Sequence, residues 1–179
     1  MTKNVKGFTI NKKSLKEKAM SIEKVREYMK QYGMEDKILE FDVSSATVPL
    51  AAQALGTEEA RIAKSLSFLV EDRAIIIVTA GTARINNKRY KGIFHKKAKM
   101  LTPDQVSEMI GHRIGGVCPF GINEGVDVYL DESLKAYETV FPACGSSNSA
   151  IELTIPELER ISGFKEWIDV TSEGPSAEG

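Results

Sequence analysis

The chain has 179 residues, 42% of them apolar and 27% charged, ordinary values for one globular domain able to bury roughly 70% of its unfolded surface. No apolar run nears the roughly 20 residues that cross a bilayer. The cysteines, Cys118 and Cys144, are too few for a disulfide scaffold, and no secretory signal opens the chain. Membrane, zinc-finger, collagen-like and mostly disordered classes are excluded, and a reducing, cytoplasmic compartment is expected. The net charge of −1 hides a segregation. Residues 73–103 hold eight basic side chains and no acid, whereas 124–179 hold twelve acids and three bases. A basic stretch can mark an anionic partner; its lysines could equally meet the C-terminal acids in space.

Residues 1–20 are lysine-rich and weakly patterned, and read as a flexible extension, with Met20-Ser21 as an alternative start. Ser21 can cap a helix whose apolar face is Ile22, Val25, Met29 and Tyr32, ended by Gly33. A short strand is expected at 37–43. Thr47 caps a helix through Leu50–Ala54 that stops at Gly56, and Thr57 opens a second short helix. Residues 65–70 and 74–79 form a hairpin, and the apolar run Ala74–Val78 predicts a strand covered on both faces. Residues 81–99 are expected to be one helix with irregular ends. Thr102-Pro103-Asp104 caps a helix to Ile110, stopped by Gly111. Strands follow at 127–130, 139–143 and 150–154, then a helix at 155–161 and a strand at 167–170. Residues 172–179 make a polar tail. The sum is one α+β domain over 21–171, a mixed central sheet of about six to seven strands flanked by helices.

The strongest local signal for chemistry is the run Arg113–Gly121. Its glycines (Gly115, Gly116, Gly121) and Pro119 impose an unusual backbone path that can aim N–H groups at an anion or oxyanion, or can be a tight turn. It lacks the Lys-Ser/Thr of a Walker loop. Gly145-Ser146-Ser147-Asn148-Ser149 is a second small polar loop, able to bind an amino acid or ribose or to serve as a plain turn. Lys64, where a short helix meets an apolar strand, could hold a phosphate or only reach solvent. His95 and His112 have no metalloprotease spacing and no cysteine neighbour in the sequence. Cys118 reads as a buried, inert thiol rather than a nucleophile.

Several segments, in order, resemble the YbaK/prolyl-tRNA-editing (ProX, INS-like) family. They are Lys64–Phe68, Ala80–Ile85, Lys99–Pro103, Gly111-His112 through Gly121, Val128–Asp131 and Gly145–Asn148, and the resemblance spans 21–171. It implies an aminoacyl-tRNA deacylase that works in trans, without cofactor or metal, on prolyl-tRNA or on cysteinyl- or alanyl-tRNA(Pro). It implies that Lys64 contacts the terminal adenosine, and that Gly115, Gly116 and Pro119 wrap the scissile carbonyl with Val117, Cys118, Phe120 and Gly121. Gly145, Ser146, Ser147 and Asn148 would line the amino-acid pocket, with His112 nearby. Cys118 stands where relatives often have serine or another small residue.

With no side-chain base evident, the ester's own activation, positioned water and oxyanion donors would carry hydrolysis. Arg84, Lys88, Arg89, Lys91, Lys96, Lys97 and Lys99 would meet the tRNA backbone. The expected partner is the acceptor end of an aminoacyl-tRNA, with room for a synthetase and none for a membrane, on a monomer or homodimer. The competing expectation is an inactive tRNA-binding or protein-interaction module of the same fold.

Overall fold

The computed structural model describes residues 12–173. Helix α1 spans Lys12–Lys30, so it begins well before Ser21. The intervening Lys, Leu, Glu, Ala and Met residues are good helix formers, and they carry the helix through what the sequence suggested was an extension; residues 1–11 lie outside the described residues. Ser21 is therefore not a cap: it is buried within the helix, on the same face as Ile22, Val25 and Met29. Strand β1 is only Leu39–Glu40. Helix α2, Val48–Leu55, has the expected cap, with Thr47 accepting the Leu50 N–H, and ends at Gly56. Thr57 opens no α-helix; a single 3-10 turn, Glu59–Arg61, follows Glu58.

Strands β2 (Ile62–Val70) and β3 (Arg73–Ala80) form the expected antiparallel hairpin. Residues 81–99 are not one helix. They split into β4 (Ala83–Ile85), α3 (Asn87–Phe94) capped by Asn86, and an irregular stretch that starts where His95 takes a left-handed conformation. The cause is distant in sequence: β4 pairs with β10, Thr171–Glu173, so the expected tail starts inside a strand. The buried Asp131 carboxylate holds that end of the chain, accepting the Val170 N–H at 2.9 Å and the Thr171 hydroxyl at 2.6 Å.

Helix α4, Pro103–Gln105, has a capping box from Thr102 and Gln105 and widens into a π-turn over Val106–Ile110, ending at Gly111. Strands β5 (Asp127–Asp131) and β6 (Thr139–Pro142) match expectation. The strand expected at 150–154 is two short ones, β7 (Ser149–Ala150) and β8 (Leu153–Thr154), which pair with different partners, β1 and β6. Helix α5, Ile155–Ser162, has a Thr154/Glu157 capping box, and β9 is Glu166–Ile168.

Six strands form one mixed sheet in the order β8-β6-β2-β3-β5-β9. Strand β3 lies inside it and is covered on both faces, as its composition predicts. Ile76 and Val78 face the main core with Val25 and Met29 of α1, Ile110 and Leu158. Ile75 and Ile77 face a second core with Phe68, Tyr90 and Tyr129. Each fully buried isoleucine contributes roughly 1.5–3 kcal/mol. No helix among the described residues is long and apolar enough to cross a membrane.

The outer side of β2 is interrupted. Parallel β6 pairs with it only at Ile62 and Ala63. Further along, Leu101 N–H donates to Ser67 O and Leu69 N–H to Lys99 O. Antiparallel ladders alternate, so Ser65 also turns its N–H and C=O outward, and there no segment among the described residues pairs with it.

Gly81 and Gly92 test the packing. A Cβ on Gly81 would lie 2.0 Å from Glu59 O and 2.9 Å from Val48 Cγ1, whereas one on Gly92 meets nothing within 4 Å. Gly81→Ala should destabilise by at least about 2 kcal/mol. Gly92→Ala, within α3, should stabilise by roughly 0.5–1 kcal/mol. Urea unfolding of both variants checks this.

Candidate functional site

A cavity of about 220 Å³ occupies the gap beside Ser65. Its floor is Ala63, Ser65 and Ser67 of β2. One wall is the entry to α2, from Ser45 to Val48, with Ala51. Another is Met100, Leu101 and Val106. Ile114, Gly115 and Val117 of the glycine-rich loop form a third, and Ala143, Ser149 and Ala150 close it. Most of this lining is apolar. Met100 and Ile114 are large apolar side chains left 57% and 60% exposed at the cavity.

The two loops singled out in the sequence meet backbone to backbone. A Cβ on Gly116 would stand 2.7 Å from both Gly145 C and Ser146 N, and one on Gly145 would stand 2.7 Å from Ser21 O in α1. Glycine is required at both positions for close approach. The Gly116 N–H donates to Arg113 O at 3.0 Å, so it closes a turn and does not face the cavity. Gly115, with φ of +92°, sits against Ala46 and Ser147. In the second loop, Ser146 Oγ bonds Ser149 Oγ at 2.7 Å and Asn148 Nδ2 donates to Phe41 O at 2.9 Å. Ser147 O accepts the Ser45 N–H at 2.7 Å. These groups brace the cavity wall from behind.

Of the residues expected at the site, Lys64, Gly115 and Val117 line the cavity. Gly116 and Pro119 lie buried in the loop, Gly121 packs against Lys24 in α1, and Gly145–Asn148 form the supporting layer. Cys118, Phe120 and His112 belong to the interior. Sequence reasoning assigned no role to Ser45 or Ala46, quoted Ser65 and Ser67 only as part of a motif, and placed Ser149 in the second polar loop. Serines in loops and strands carry no signal of their own.

Lys64 Nζ donates to Ala83 O at 2.5 Å and Gly81 O at 3.1 Å, clamping the turn after β3. Burial, and then the nearby Arg84 charge, hold its pKa below the ordinary lysine value. His112 has the cysteine neighbour that spacing did not reveal: Cys118 Sγ lies 3.5 Å from its Nε2. The pair is not a nucleophile and base. Burial pushes the Cys118 thiol up to about 12, far from a thiolate at neutral pH. His112 Nε2 faces the Phe120 carbonyl at 2.7 Å, which can only accept, so Nδ1 accepts from the Ser21 hydroxyl at 2.9 Å. This bond ties α1 to the glycine loop.

The basic side chains from Arg84 to Lys99 are all exposed. Arg89 is neutralised by Asp169 at 2.8 Å and also donates to Thr171 O, so part of the run does meet C-terminal acids. Lys88, Lys91 and Lys97 frame a groove of about 530 Å³. Lys96, Lys97 and Lys99 have no ion-pair partner among the described residues, and Lys99 leads directly into Met100 at the cavity.

A family model for the aminoacyl-tRNA editing domain matches residues 43–161. The chain is 54% identical over 155 residues to YwhH, an uncharacterized protein of Bacillus subtilis, covering 86% of this chain and 99% of that one. It is 26% identical over 137 residues to the proline--tRNA ligase of Geobacillus sp. strain WCH70, covering 74% of this chain but 24% of the ligase. A crystal structure of a candidate trans-editing enzyme for prolyl tRNA synthetase superposes with a TM-score of 0.77 and 31% identity, covering 85% of this chain and 97% of the other.

His112 also sets a pH dependence. Burial, the largest influence, lowers its pKa from the ordinary 6.5; the bond to Phe120 raises it, and Lys24 lowers it again. Below 6.5 the unfolded chain takes up a proton that the folded chain refuses, so stability rises with pH up to that value and falls on acidification. The melting temperature should drop between pH 7 and about 5. His112→Asn should flatten that part of the curve; an unchanged slope in the variant would assign it to other groups.

Proposed function

The chain belongs to the aminoacyl-tRNA editing domain family, and from this premise we propose that it is a trans-editing deacylase. It hydrolyses the ester joining a small, wrongly attached amino acid to the 3′ end of a tRNA, in the class of prolyl-tRNA or of cysteinyl- and alanyl-tRNA(Pro). The observation that carries the proposal is the placement of Lys64, the glycine loop and an open strand edge around one small cavity, with an exposed basic surface running up to it.

An aminoacyl ester is already activated, so the chain needs to hold it rather than attack it. The outward N–H of Ser65 is a backbone donor inside the cavity, suited to a carbonyl oxygen that gains charge. In a well-studied protease one such donor is worth about 10²–10³ in rate. The glycine loop shapes the wall through Gly115 and Val117, while Gly116 secures the loop against Gly145. A vicinal ribose hydroxyl or a bound water completes proton transfer, with no thiol involved. Lys64 and the adjacent Arg84 offer positive charge to the terminal nucleotide. Lys88, Lys91, Lys96, Lys97 and Lys99 steer the acceptor stem, with Arg89 partly withdrawn by Asp169. A synthetase partner, a cytoplasmic setting and a monomeric or dimeric state accompany this proposal.

The second reading, a tRNA-binding module without hydrolysis, draws on the Lys64 ammonium and the Gly116 N–H both being engaged by protein carbonyls. Release of amino acid from a panel of mischarged tRNAs separates the two. Lys64→Ala should cut that release at least tenfold. It should also lower the melting temperature by a few degrees, because two carbonyls lose a donor worth about 1 kcal/mol. Loss of stability with undiminished turnover would make Lys64 a turn clamp and nothing more.

For the basic surface, log affinity for tRNA should fall with log salt at roughly 0.7–0.9 per phosphate contacted. Reversing Lys96, Lys97 and Lys99 to Glu should flatten that slope and weaken all tRNAs alike. Salt-independent binding would refute the basic surface as the tRNA contact.

A further inference from the structure

The carboxylate of Asp131, at the end of β5, is fully buried, and no basic side chain pairs with it among the described residues. Its partners are donors that come from two directions. Oδ1 accepts the Val170 N–H at 2.9 Å. Oδ2 accepts the Thr171 hydroxyl at 2.6 Å and the Ser133 N–H at 3.0 Å. A buried charge is costly unless such bonds are made, so the carboxylate fixes the chain on both sides of it.

Both sides lead to the same turn. Ser133 Oγ accepts the Ala80 N–H at 3.0 Å and so holds the start of the turn after β3. Thr171 opens β10, whose register sets Thr171, Ser172 and Glu173 against Ile85, Arg84 and Ala83. That pairing holds the far end of the turn, and β4 has no other strand partner among the described residues. Between the two holds stand Gly81 O and Ala83 O, the acceptors of the Lys64 ammonium. Ala80, Thr82 and Ala83 also border an open cleft of about 640 Å³, so that face of the turn is not packed.

We infer that Asp131 and β10 form a strap that sets where the Lys64 ammonium stands at the cavity, with Asp131 a positioning residue buried away from any substrate. An unanchored lysine samples many rotamers; two fixed carbonyls select one. A loosened strap lets Ala83 O withdraw and carries the neighbouring Arg84 charge with it. The edge of the cavity is thereby completed by residues 171–173, distant in sequence from everything that lines it. The effect on turnover rests on the proposed deacylase reading; the placing of Lys64 does not.

The test uses Thr171→Val, which keeps the shape and strand preference of the residue and removes only its hydroxyl, together with Asp131→Asn. Ile161→Val, in the main core, supplies a destabilised variant remote from the strap. In protein carrying isotope-labelled lysine, the Lys64 ammonium resonance, assigned by its loss in Lys64→Ala, should show slowed proton exchange. Exchange should quicken at least about fivefold in Thr171→Val and in Asp131→Asn, and not in Ile161→Val. The kcat/KM for release of amino acid from mischarged tRNA should fall about three- to tenfold in both strap variants, and Thr171→Val should add almost nothing to the loss in Lys64→Ala. Unchanged ammonium exchange in Thr171→Val overturns the inference, as does equal quickening in Ile161→Val or a fully additive loss in the double variant. Thr171→Val decides alone where Asp131→Asn does not fold. Quickened exchange in a protein that releases no amino acid from any tRNA would refute the deacylase and keep the strap.

Discussion

Between Ala63 and Ser67, strand β2 has a partner on one side only. β6 leaves it after Pro142, which has no N–H to extend a ladder, and Ala143 turns to pair with Ala150. The segment 99–101 joins β2 again from Ser67 onward. The interval is short, but a bare strand edge must be paired, covered or put to use. Here it is walled by the entry to α2, the glycine loop and Met100, and the enclosed space is the cavity. Lys64 precedes the gap and Ser65 sits in it, so the site exists because one sheet edge changes partners.

The walls hold their position through backbone contact. Gly116 lies on Gly145, and Gly145 lies on the α1 backbone at Ser21, a stack too close for any side chain. His112 fastens two of these pieces, α1 and the glycine loop, by joining Ser21 to Phe120. The residues that read most like a catalytic loop thus serve mainly to keep a wall rigid, while the side chains facing the cavity come from plainer stretches. Such a division suits the proposed deacylase, whose ester substrate would be already reactive and would need placement.

Much of the fold was legible because its signals are local. Caps at Thr47 and Thr102, stops at Gly33, Gly56 and Gly111, and the uniform apolar run of β3 each express a preference of a few neighbouring residues. Two of the errors lie where a distant partner decided the outcome. Ala83–Ile85 became a strand because residues 171–173 lie alongside, held there by the buried carboxylate of Asp131. Residues 150–154 divided because β1 and β6 each claimed a part.

The same distinction governs the site. The order of motifs identified the family, and the spacing around Lys64 and Gly115 pointed to residues that do line the cavity. Charge segregation marked a basic surface, but only the fold neutralised Arg89 with Asp169 and left Lys96, Lys97 and Lys99 exposed. His112 and Cys118 became neighbours, and burial left that contact without a thiolate. What the sequence alone determined was composition-driven: which stretches can be helix or strand, where the chain turns, and what chemistry is on hand. Which N–H groups are spent on turns, and which serine hydroxyls are buried without a partner among the described residues, depended on tertiary contacts. Hydrogen-bond satisfaction belongs to the packed arrangement of distant segments and to no residue by itself.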